Sequence, residues 1–448
     1  MTACPAVIFL TVFSPSPPAV GIPHRSARLF ETLPLLPGVN LRCRRDTRFK
    51  HGCLSLHWVA AMHADTTAMN ALIPSVLLRG TVPHPDLRAI TARLDDLYGA
   101  VASPMSRRVG DYQASGLYLS FMDDRFALPG DRVLEGTVDF LAELLQSPLT
   151  EKDGFLPEYV QSEKKNLIST IQADRNDKRV YAMGRLLKIL CREDSFGLPR
   201  LGEPEQVAAI APDTLYRHFQ QMLNAAPLEI FYVGSFESAA VADLLRGRLC
   251  LRGREAMLPP QTGFHGCPGE DVTETMEVTQ GKLCMGFVTP ITLKSELYPA
   301  MQVLNVLYGG GMTSKLFRNV REKLSLCYSV GSSYYSSKGI LTVSAGIDFD
   351  KETPARREIL GQLQLCREGA ITREELDSAR EALISSLRSV TDSAGSMESY
   401  GFIAALSGNT ASPEEAIRAI RAVTLEQVVE AAKTVTLHST YFLKGEPA

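Results

Sequence analysis

The same order of predicted elements occurs twice along the chain, and this duplication constrains the fold more than any single motif does. In the first half, an alternating segment at residues 50–60 precedes an apolar helical stretch at residues 71–80 that ends in glycine. In the second half, residues 280–288 and the helical stretch 301–309 repeat that order. Because alternation predicts a half-buried strand, each half is expected to begin with a strand and a helix of the same kind.

The later segments of the two halves correspond as well. A β-rich segment follows the first helix in each half, then a long helix, and each half closes on a short strand at residues 228–234 or 440–445. Strands that cluster early and a helical block that follows are typical of an α+β fold. We therefore predict two tandem homologous α+β domains, each an antiparallel or mixed sheet flanked by helices, joined by a linker.

The domain boundaries follow from composition. Residues 1–34, Pro-rich at 15–18, are predicted to be a loose N-terminal extension. Residues 35–236 form the first predicted domain and residues 271–448 the second. The intervening region 237–270 contains a Pro- and Gly-rich stretch with Pro259 and Pro260, and it is predicted to be the linker.

Charge and cysteine content exclude several classes of function. The chain has 47 Lys and Arg residues and 50 Asp and Glu residues, which gives a net charge of −3. This charge provides no excess of positive charge that would attract nucleic acid. Nine cysteines without a C-x-x-C pair favour free thiols in a reducing compartment. The early apolar run at residues 6–13 is shorter than the ~20 residues that span a bilayer. No Lys or Arg precedes Arg25, which argues against a secretory signal, so we expect a cytoplasmic protein without membrane or nucleic-acid partners.

The most specific string is residues 308–330, Tyr-Gly-Gly-Gly-Met-Thr-Ser-Lys-Leu-Phe-Arg-Asn-Val-Arg-Glu-Lys-Leu-Ser-Leu-Cys-Tyr-Ser-Val. This string resembles the second-domain signature of the M16 peptidases, the family that includes insulinase, pitrilysin and the mitochondrial processing peptidase. Together with the order of elements, the resemblance covers about residues 35–445. It implies tandem homologous α+β domains, in agreement with the duplication.

Active members of that family carry an inverted zinc motif, H-x-x-E-H, which this sequence lacks. Two histidines one helical turn apart can share a zinc ion, and the glutamate between them activates the metal-bound water. Alignment puts the two histidine positions on Ala71 and Ser75 and the glutamate position on Pro74. The third ligand position, seven residues after Glu163, is Thr170. The resemblance thus implies a chain that binds no metal and is inactive alone, and a proline inside the helix predicts a kink or a restart at Pro74.

A rebuilt metal site is a weaker alternative. His57 and His63 flank a predicted strand end and lie on one side only if the strand continues. Two packed or solvent-edge histidines explain this spacing better, because neither the number of ligands nor their orientation is supported. A self-sufficient peptidase with an unrecognised metal site at these histidines is the third hypothesis.

The resemblance also implies a retained substrate-binding half. At the positions of Arg321 and Tyr328, active relatives have a pair that faces the zinc across a closed chamber and contacts the substrate backbone. Guanidinium and phenol can both donate to a peptide carbonyl or its oxyanion. The structural alternative is a helix-surface ion pair for Arg321 and a core strand residue for Tyr328.

Gly309, Gly310 and Gly311 resemble the glycine-rich loop of the noncatalytic subunit of the processing peptidase, which implies substrate guidance. Glycine lets a backbone approach a bound chain closely. A helix end followed by a turn is the alternative explanation.

A chain that lacks the zinc ligands and retains the substrate-binding residues is similar to the noncatalytic subunits of two-chain M16 enzymes. The resemblance is to the Gram-positive subunit associated with elongation factor P modification. It implies an M16 partner that carries H-x-x-E-H and holds the zinc, and a peptide bound by edge-strand addition. The alternative is a peptide-binding or scaffolding pseudoenzyme without a proteolytic role.

Overall fold

Two open sheets of the same topology, one in each half of the chain, organise the computed structural model, which describes residues 28–257, 260–266 and 268–445. Most of the predicted N-terminal extension lies outside these described residues. The elements of the first half are, in chain order, β1 (Glu31–Leu36), β2 (Val39–Arg45), β3 (His51–Ala61), α1 (Thr67–Leu77), α2 (Leu87–Asp96), β4 (Val101–Val109), β5 (Tyr112–Met122), α3 (Val133–Gln146), β6 (Thr150–Glu151), β7 (Gly154–Phe155), α4 (Pro157–Asn176), α5 (Lys178–Leu190), α6 (Pro204–Ala209), α7 (Pro212–Ala225), β8 (Leu228–Gly234) and α8 (Ser238–Arg248).

The second half has a corresponding set of elements. They are β9 (Asp271–Thr275), β10 (Gly281–Val288), α9 (Tyr298–Gly309), a π-helix (Leu316–Lys323), β11 (Ser329–Tyr335), β12 (Ile340–Ile347), α10 (Glu352–Arg367), α11 (Arg373–Ser389), α12 (Ala394–Ser407), α13 (Pro413–Ala422), α14 (Leu425–Thr434) and β13 (Thr436–Lys444). The π-helix carries Arg321 and is called the Arg321 helix below.

The two sheets have the same strand order. Sheet 1 runs β1-β2-β8-β3-β5-β4 and sheet 2 runs β9-β13-β10-β12-β11. Each contains one parallel pair, β2 with β8 and β9 with β13, and the remaining neighbours are antiparallel. Strand β1 is the one addition in sheet 1. The predicted duplication and the α+β class are confirmed.

One face of each sheet is covered by helices of its own half. Leu54, Leu56 and Trp58 of β3 belong to the core that includes residues of α1, α3, α7 and α8. Leu283 and Phe287 of β10 belong to the equivalent core with α9, α10, α11 and α14. Burying a large apolar side chain contributes ~1.5–3 kcal/mol, so these two clusters supply much of the stability of each half.

The opposite face of each sheet is covered by a helix from the other half. Helix α12 packs on β3, β4 and β8 of sheet 1, where Met397 and Phe402 contact the apolar cluster around Phe231. Helix α5 packs on β10, β12 and β13 of sheet 2, where Leu186 meets Tyr441. Each half therefore completes the core of the other.

This exchange overturns the prediction of a half-buried first strand. Residues 52–59 of β3 are all buried, because α12 covers the face that the alternating pattern assigned to solvent. The polar side chains on that face, Ser55 and His57, are therefore inside the protein. The alternation in the sequence therefore reflects two buried faces of β3. One packs on the helices of the first half, and the other, which includes Ser55 and His57, packs on α12.

Glu398 of α12 is the charged centre of the first interface. Its carboxylate accepts two hydrogen bonds of 2.9 Å from the guanidinium of Arg107 and one of 2.7 Å from the hydroxyl of Ser55. His57 Nε2 lies 3.2 Å from the same carboxylate. Burial alone would raise the pKa of Glu398, but the contacts with His57 and Arg107 outweigh it and lower the pKa to about 2. Burial lowers the pKa of His57 despite its contact with Glu398.

A second buried charge joins the two edge hairpins. Lys338, in the turn between β11 and β12, has a side chain 1% exposed. Its Nζ lies 2.6 Å from Asp111 Oδ1, in the turn between β4 and β5, and 2.9 Å from Asp194 Oδ2. One lysine of the second half thus forms ion pairs with two carboxylates of the first.

Two boundaries differ from those expected. Strand β1 begins at Glu31, inside the segment predicted as a loose extension. Helix α8 lies in the predicted linker region, yet Val241, Ala242 and Leu245 are buried in the core of the first half. Between α8 and β9, the described residues, 249–257, 260–266 and 268–270, form no helix or strand, so this connection is shorter than the predicted linker region.

Helix α1 is continuous, which decides between the two outcomes predicted at Pro74 only as far as the restart is concerned. It runs from Thr67 to Leu77 without interruption, so the predicted restart at Pro74 is wrong. An interior proline costs ~3 kcal/mol or more. Ala71, Leu72, Ile73 and Leu77 are buried around Pro74, and this packing holds the helix together. None of the helices in the described ranges combines the length and hydropathy that crossing a bilayer demands.

Replacing Glu398 with glutamine should lower the free energy of unfolding by about 3 kcal/mol, because Arg107 would lose its buried counter-charge. Urea unfolding followed by circular dichroism measures this change. Asp213→Asn is the matched control, since Asp213 pairs with Arg217 on an exposed face of α7 and should change stability by less than about 0.5 kcal/mol. Equal effects of the two substitutions would contradict the structural role of the buried pair.

The same carboxylate predicts an acid dependence. The pKa of Glu398 is lowered from its ordinary 4.5 to about 2 in the folded protein. Its stabilising contribution is therefore complete above pH 4.5 and is lost as the pH falls toward 2. The difference in unfolding free energy between the wild type and Glu398→Gln should narrow steadily over that interval. A difference independent of pH would show that the carboxylate is not ionised in the folded state.

Candidate functional site

The positions aligned with the zinc ligands carry no ligand chemistry. Ala71 and Pro74 are buried in the core of the first half, and Ser75 follows them on the same helix. Thr170 lies exposed on α4, and its hydroxyl donates to the carbonyl of Asn166 at 3.0 Å. Across the part of the chain that the structure describes, no group of three or more His, Cys, Asp or Glu side chains could hold a metal ion.

The glutamate aligned with the first acidic residue of the later helix has a structural partner. Glu163 Oε1 lies 3.4 Å from Arg79 Nη1. The guanidinium of Arg79 also stacks 5.3 Å from the centre of the Tyr159 ring. These contacts connect α4 to the residue just beyond α1.

The two histidines of the alternative metal site lie in different environments, one buried and one exposed. His57 lies in the interior of β3, fully buried beside Glu398. His63 follows the end of β3, is exposed, and has its Nδ1 3.5 Å from Asp65. Because the strand ends between them, they do not share a side, and the structure does not bring them together.

A buried polar network that the sequence did not indicate lies beside the degenerate positions. Asn70 Nδ2 donates to Gln113 Oε1 at 2.9 Å, and Asn70 Oδ1 lies 2.6 Å from His218 Nε2. Gln113 Nε2 donates to the carbonyls of Thr67 and Arg200. Burial lowers the pKa of His218. The only sequence signal was a polar residue, Asn70, in the middle of a mostly apolar helix.

In the second half, Arg321 and Tyr328 open on one cavity of about 430 Å³. The cavity lies between the end of the Arg321 helix, the start of β11 and the residues after β12. Its lining consists of Arg321, Glu322, Ser325, Leu326, Cys327, Tyr328, Asp348 and Lys351. The two residues selected from the sequence are therefore brought together.

Arg321 is held loosely. Its side chain is 39% exposed, its Nη1 lies 3.2 Å from the carboxylate of Glu322, and its guanidinium is 4.6 Å from the centre of the Phe317 ring. An exposed pair of this kind contributes at most about 1 kcal/mol. The guanidinium can therefore exchange Glu322 for another acceptor at little cost.

Tyr328 is exposed, which excludes the alternative of a core strand residue. It is 61% exposed and immediately precedes β11. Its hydroxyl donates to Asp348 Oδ1 at 2.9 Å, and this hydrogen bond raises the pKa of Tyr328. Hydrogen bonds from Lys351 and then Tyr328 lower the pKa of Asp348. The hydrogen bond with Asp348 thereby orients the phenol within the lining of the cavity.

A left-handed turn joins the two side chains. The Arg321 helix ends at Lys323, and Ser325 follows with φ of 48°. The amide of Ser325 donates to the carbonyl of Arg321 at 3.1 Å, which closes the last turn. Because a non-glycine residue seldom adopts this conformation, the turn is a specific feature that directs the chain back toward β11.

The three glycines lie beside β11 but do not line the cavity. A side-chain carbon on Gly309 would fall 2.7 Å from Ser332 Oγ and 2.9 Å from its backbone nitrogen. One on Gly310 would meet Val306 at 2.6 Å, whereas one on Gly311 would meet nothing within 4 Å. Packing explains the first two glycines, and only Gly311, followed by the exposed Met312, is open to a bound chain.

Together, the geometry defines a two-domain α+β protein that presents hydrogen-bond donors, and its described residues include no group of side chains that could hold a catalytic metal. A family model described as "Peptidase M16 inactive domain" matches residues 209–383. The "Probable inactive metalloprotease YmfF" of Bacillus subtilis (strain 168) is 31% identical over 409 residues, which are 91% of this chain and 96% of that protein. The chain belongs to the peptidase M16 family.

Further relatives extend this result. The "Uncharacterized zinc protease YmxG" of the same Bacillus strain is 30% identical over 239 residues, 52% of this chain and 57% of that protein. A crystal structure of a conserved protein from Enterococcus faecalis V583 superposes with a TM-score of 0.88 at 28% identity, covering 93% of this chain and 99% of that one. A peptidase M16 inactive domain from Pseudomonas fluorescens shares the fold, with a TM-score of 0.75 at 17% identity over 94% of this chain and 98% of that one.

The glycines give a stability prediction. Gly309→Ala should lower the free energy of unfolding by about 1–3 kcal/mol, because the added methyl group collides with Ser332 of the packed strand. Gly311→Ala should leave stability unchanged or raise it by up to about 1 kcal/mol, since its methyl group meets open space. Thermal unfolding of both variants measures the contrast, and a larger loss at Gly311 would contradict the described packing.

Proposed function

We propose that this protein is the noncatalytic subunit of a two-subunit M16 metallopeptidase. It contributes peptide binding and the pair Arg321 and Tyr328 to a zinc site carried by a partner with the H-x-x-E-H motif. The observation that carries the proposal is the joint opening of both side chains on one cavity, in a chain whose aligned ligand positions hold alanine, proline, serine and threonine. In this proposal the chain supplies the hydrogen-bond donors of a hydrolytic site, and the partner supplies the metal.

The chemistry of the cavity suits a peptide carbonyl. The Arg321 guanidinium is exposed, and its weak pairing with Glu322 can be exchanged. The Tyr328 hydroxyl can shift from Asp348 to a carbonyl oxygen, because Asp348 keeps its ion pair with Lys351. Donors placed where negative charge develops in a tetrahedral intermediate accelerate acyl transfer.

The relatives support the class of the partner. In one Bacillus strain, one relative is named a probable inactive metalloprotease and another an uncharacterized zinc protease. A zinc-motif chain of the second kind is the partner that we propose, with zinc bound there and the peptide substrate held between the subunits. We also propose a cytoplasmic location, which the buried thiols of Cys43, Cys53 and Cys284 support, since they form no disulfide.

Hydrolysis of an internally quenched peptide library tests the proposal. The samples are this protein alone, the zinc-motif relative encoded by the same organism alone, and the two mixed. We expect hydrolysis in the mixture well above the sum of the separate samples. A zinc chain that is fully active alone and unaffected by mixing would instead identify this protein as a peptide-binding or scaffolding pseudoenzyme.

Variants at the cavity sharpen that test. Arg321→Ala and Tyr328→Phe should each lower kcat of the mixture by about 10²–10³-fold, because each removes a donor to the oxyanion. Arg318→Ala is the matched control, since Arg318 lies exposed on the same helix and does not line the cavity. A mixture that retains full kcat with both cavity variants would rule out their proposed role.

A further inference from the structure

A larger cavity of about 990 Å³ lies in the first half, apart from Arg321 and Tyr328. Helices α4 and α5, the end of β4 and the segment 196–203 enclose it, and Met276 of the second half closes one side. Its lining includes seven cationic side chains and only two carboxylates. The cations are Arg107, Arg108, Arg175, Lys178, Arg185, Lys188 and Arg200, and the carboxylates are Asp174 and Glu203. We call it the basic cavity.

Several of these cations have protein counter-charges. Arg107 pairs with Glu398 and Arg185 with Glu274. Arg175 and Lys188 share the single carboxylate of Glu203. The cavity is therefore only partly neutralised by the protein.

Three cations form no ion pair with a carboxylate, although Asp174 interacts electrostatically with Arg200. Within the described ranges, no carboxylate lies within 4.0 Å of Arg108, Lys178 or Arg200, although the protein as a whole carries a net charge of −3. Such a concentration of positive charge in an acidic chain does not follow from overall composition. It marks a position where an anionic ligand would compensate charge that the protein leaves unpaired.

Arg108 is held by two hydrogen bonds and a ring contact. Its Nη1 donates to the carbonyls of Phe196 and Leu198, at 2.8 and 3.2 Å, and its guanidinium lies 4.2 Å from the centre of the Phe196 ring. Burial lowers the pKa of Arg108, so its charge is poorly solvated. A guanidinium has five N–H donors, and the hydrogen bonds described for Arg108 involve only its Nη1.

Arg200 extends the charged wall along the strand. Its Nη1 donates to the carbonyl of Ser106, in the outer strand β4, at 2.8 Å. Lys178, at the start of α5, also lines the cavity, and its Nζ donates to the carbonyl of Arg175 at 3.5 Å. Three cations from separate segments of the chain thus line one cavity.

The surroundings favour a peptide over a small anion. Strand β4 is the outer strand of sheet 1, and among the described residues it pairs only with β5. An extended peptide can add to such an edge through main-chain hydrogen bonds, at positions other than the Ser106 carbonyl that Arg200 already occupies. Apolar side chains, Phe196, Leu198 and Leu201, line the cavity beside the cations and suit the neighbours of a charged residue.

We propose that the basic cavity binds carboxylate side chains of an extended peptide, and that Arg108, Lys178 and Arg200 give the protein a preference for acidic peptides. This inference rests on the proposed peptide-binding function and names its substrate class. The cations lie in the first half, so this recognition is separate from the donor pair of the second half.

Fluorescence anisotropy of this protein alone tests the inference. The probes are a short fluorescein-labelled peptide that carries several glutamates and the same peptide with glutamines. We expect the glutamate peptide to bind about tenfold more tightly, and the preference to fall to about threefold or less in the double variant Lys178→Gln, Arg200→Gln. Circular dichroism confirms that the variant is folded.

The matched control is the double variant Arg217→Gln, Arg246→Gln, which removes two exposed cations from α7 and α8. It should keep the preference. Equal binding of the two peptides, or an equal loss in the control, would overturn the inference in favour of general electrostatic attraction. Displacement of the peptide by inorganic phosphate at the same concentration would overturn it in favour of a small-anion site.

The binding measurement uses one chain, whereas the proposed subunit role is measured by hydrolysis in the two-chain mixture. A preference for glutamate without any gain on mixing would retain the proposed role of the basic cavity and reject the subunit role. A gain on mixing without the preference would reject only the proposed role of the basic cavity.

Discussion

The exchange of one helix between the two halves is the constraint on which the rest of this structure depends. Helix α12 covers sheet 1 and helix α5 covers sheet 2, so each sheet is buried on both faces only when both halves are present. The exchange places a carboxylate, Glu398, among Arg107, Ser55 and His57 of the other half. Apolar burial supplies the energy of this interface, and the enclosed charges restrict it to one arrangement.

The exchanged helices also position the two cavities. Helix α5 carries Lys178 into the basic cavity while its apolar face rests on sheet 2, so that cavity depends on the second half for its shape. The cavity around Arg321 and Tyr328 depends on local structure instead. A helix end, the left-handed residue Ser325 and the first residues of β11 bring the two side chains together over a short stretch of chain. One cavity is thus a product of the interface and the other of a single turn.

The sequence predicted the features that are repeated between the two halves and those that depend on neighbouring residues. The duplicated order of elements predicted two sheets of one topology, and the spacing of Arg321 and Tyr328 was informative because a single turn joins them. Contacts between distant segments could not be predicted in this way. Nothing near His57 in the sequence indicates its contact with Glu398, which lies 341 residues away. The alternating pattern of β3 therefore predicts a solvent-exposed face that the structure does not have. The seven cations of the basic cavity are scattered over residues 107–200 and form a pattern only after folding.

The same separation of local from distant effects explains Pro74. Within an isolated helix, a proline at that position would break the helix, but here α1 is buried on nearly all sides and continues through it. A zinc site needs at least three protein ligands, and the aligned residues here are alanine, serine and threonine, with proline where the base would stand. Replacing any one of them would create a lone histidine or glutamate, so a zinc site at these positions would require at least three substitutions made together.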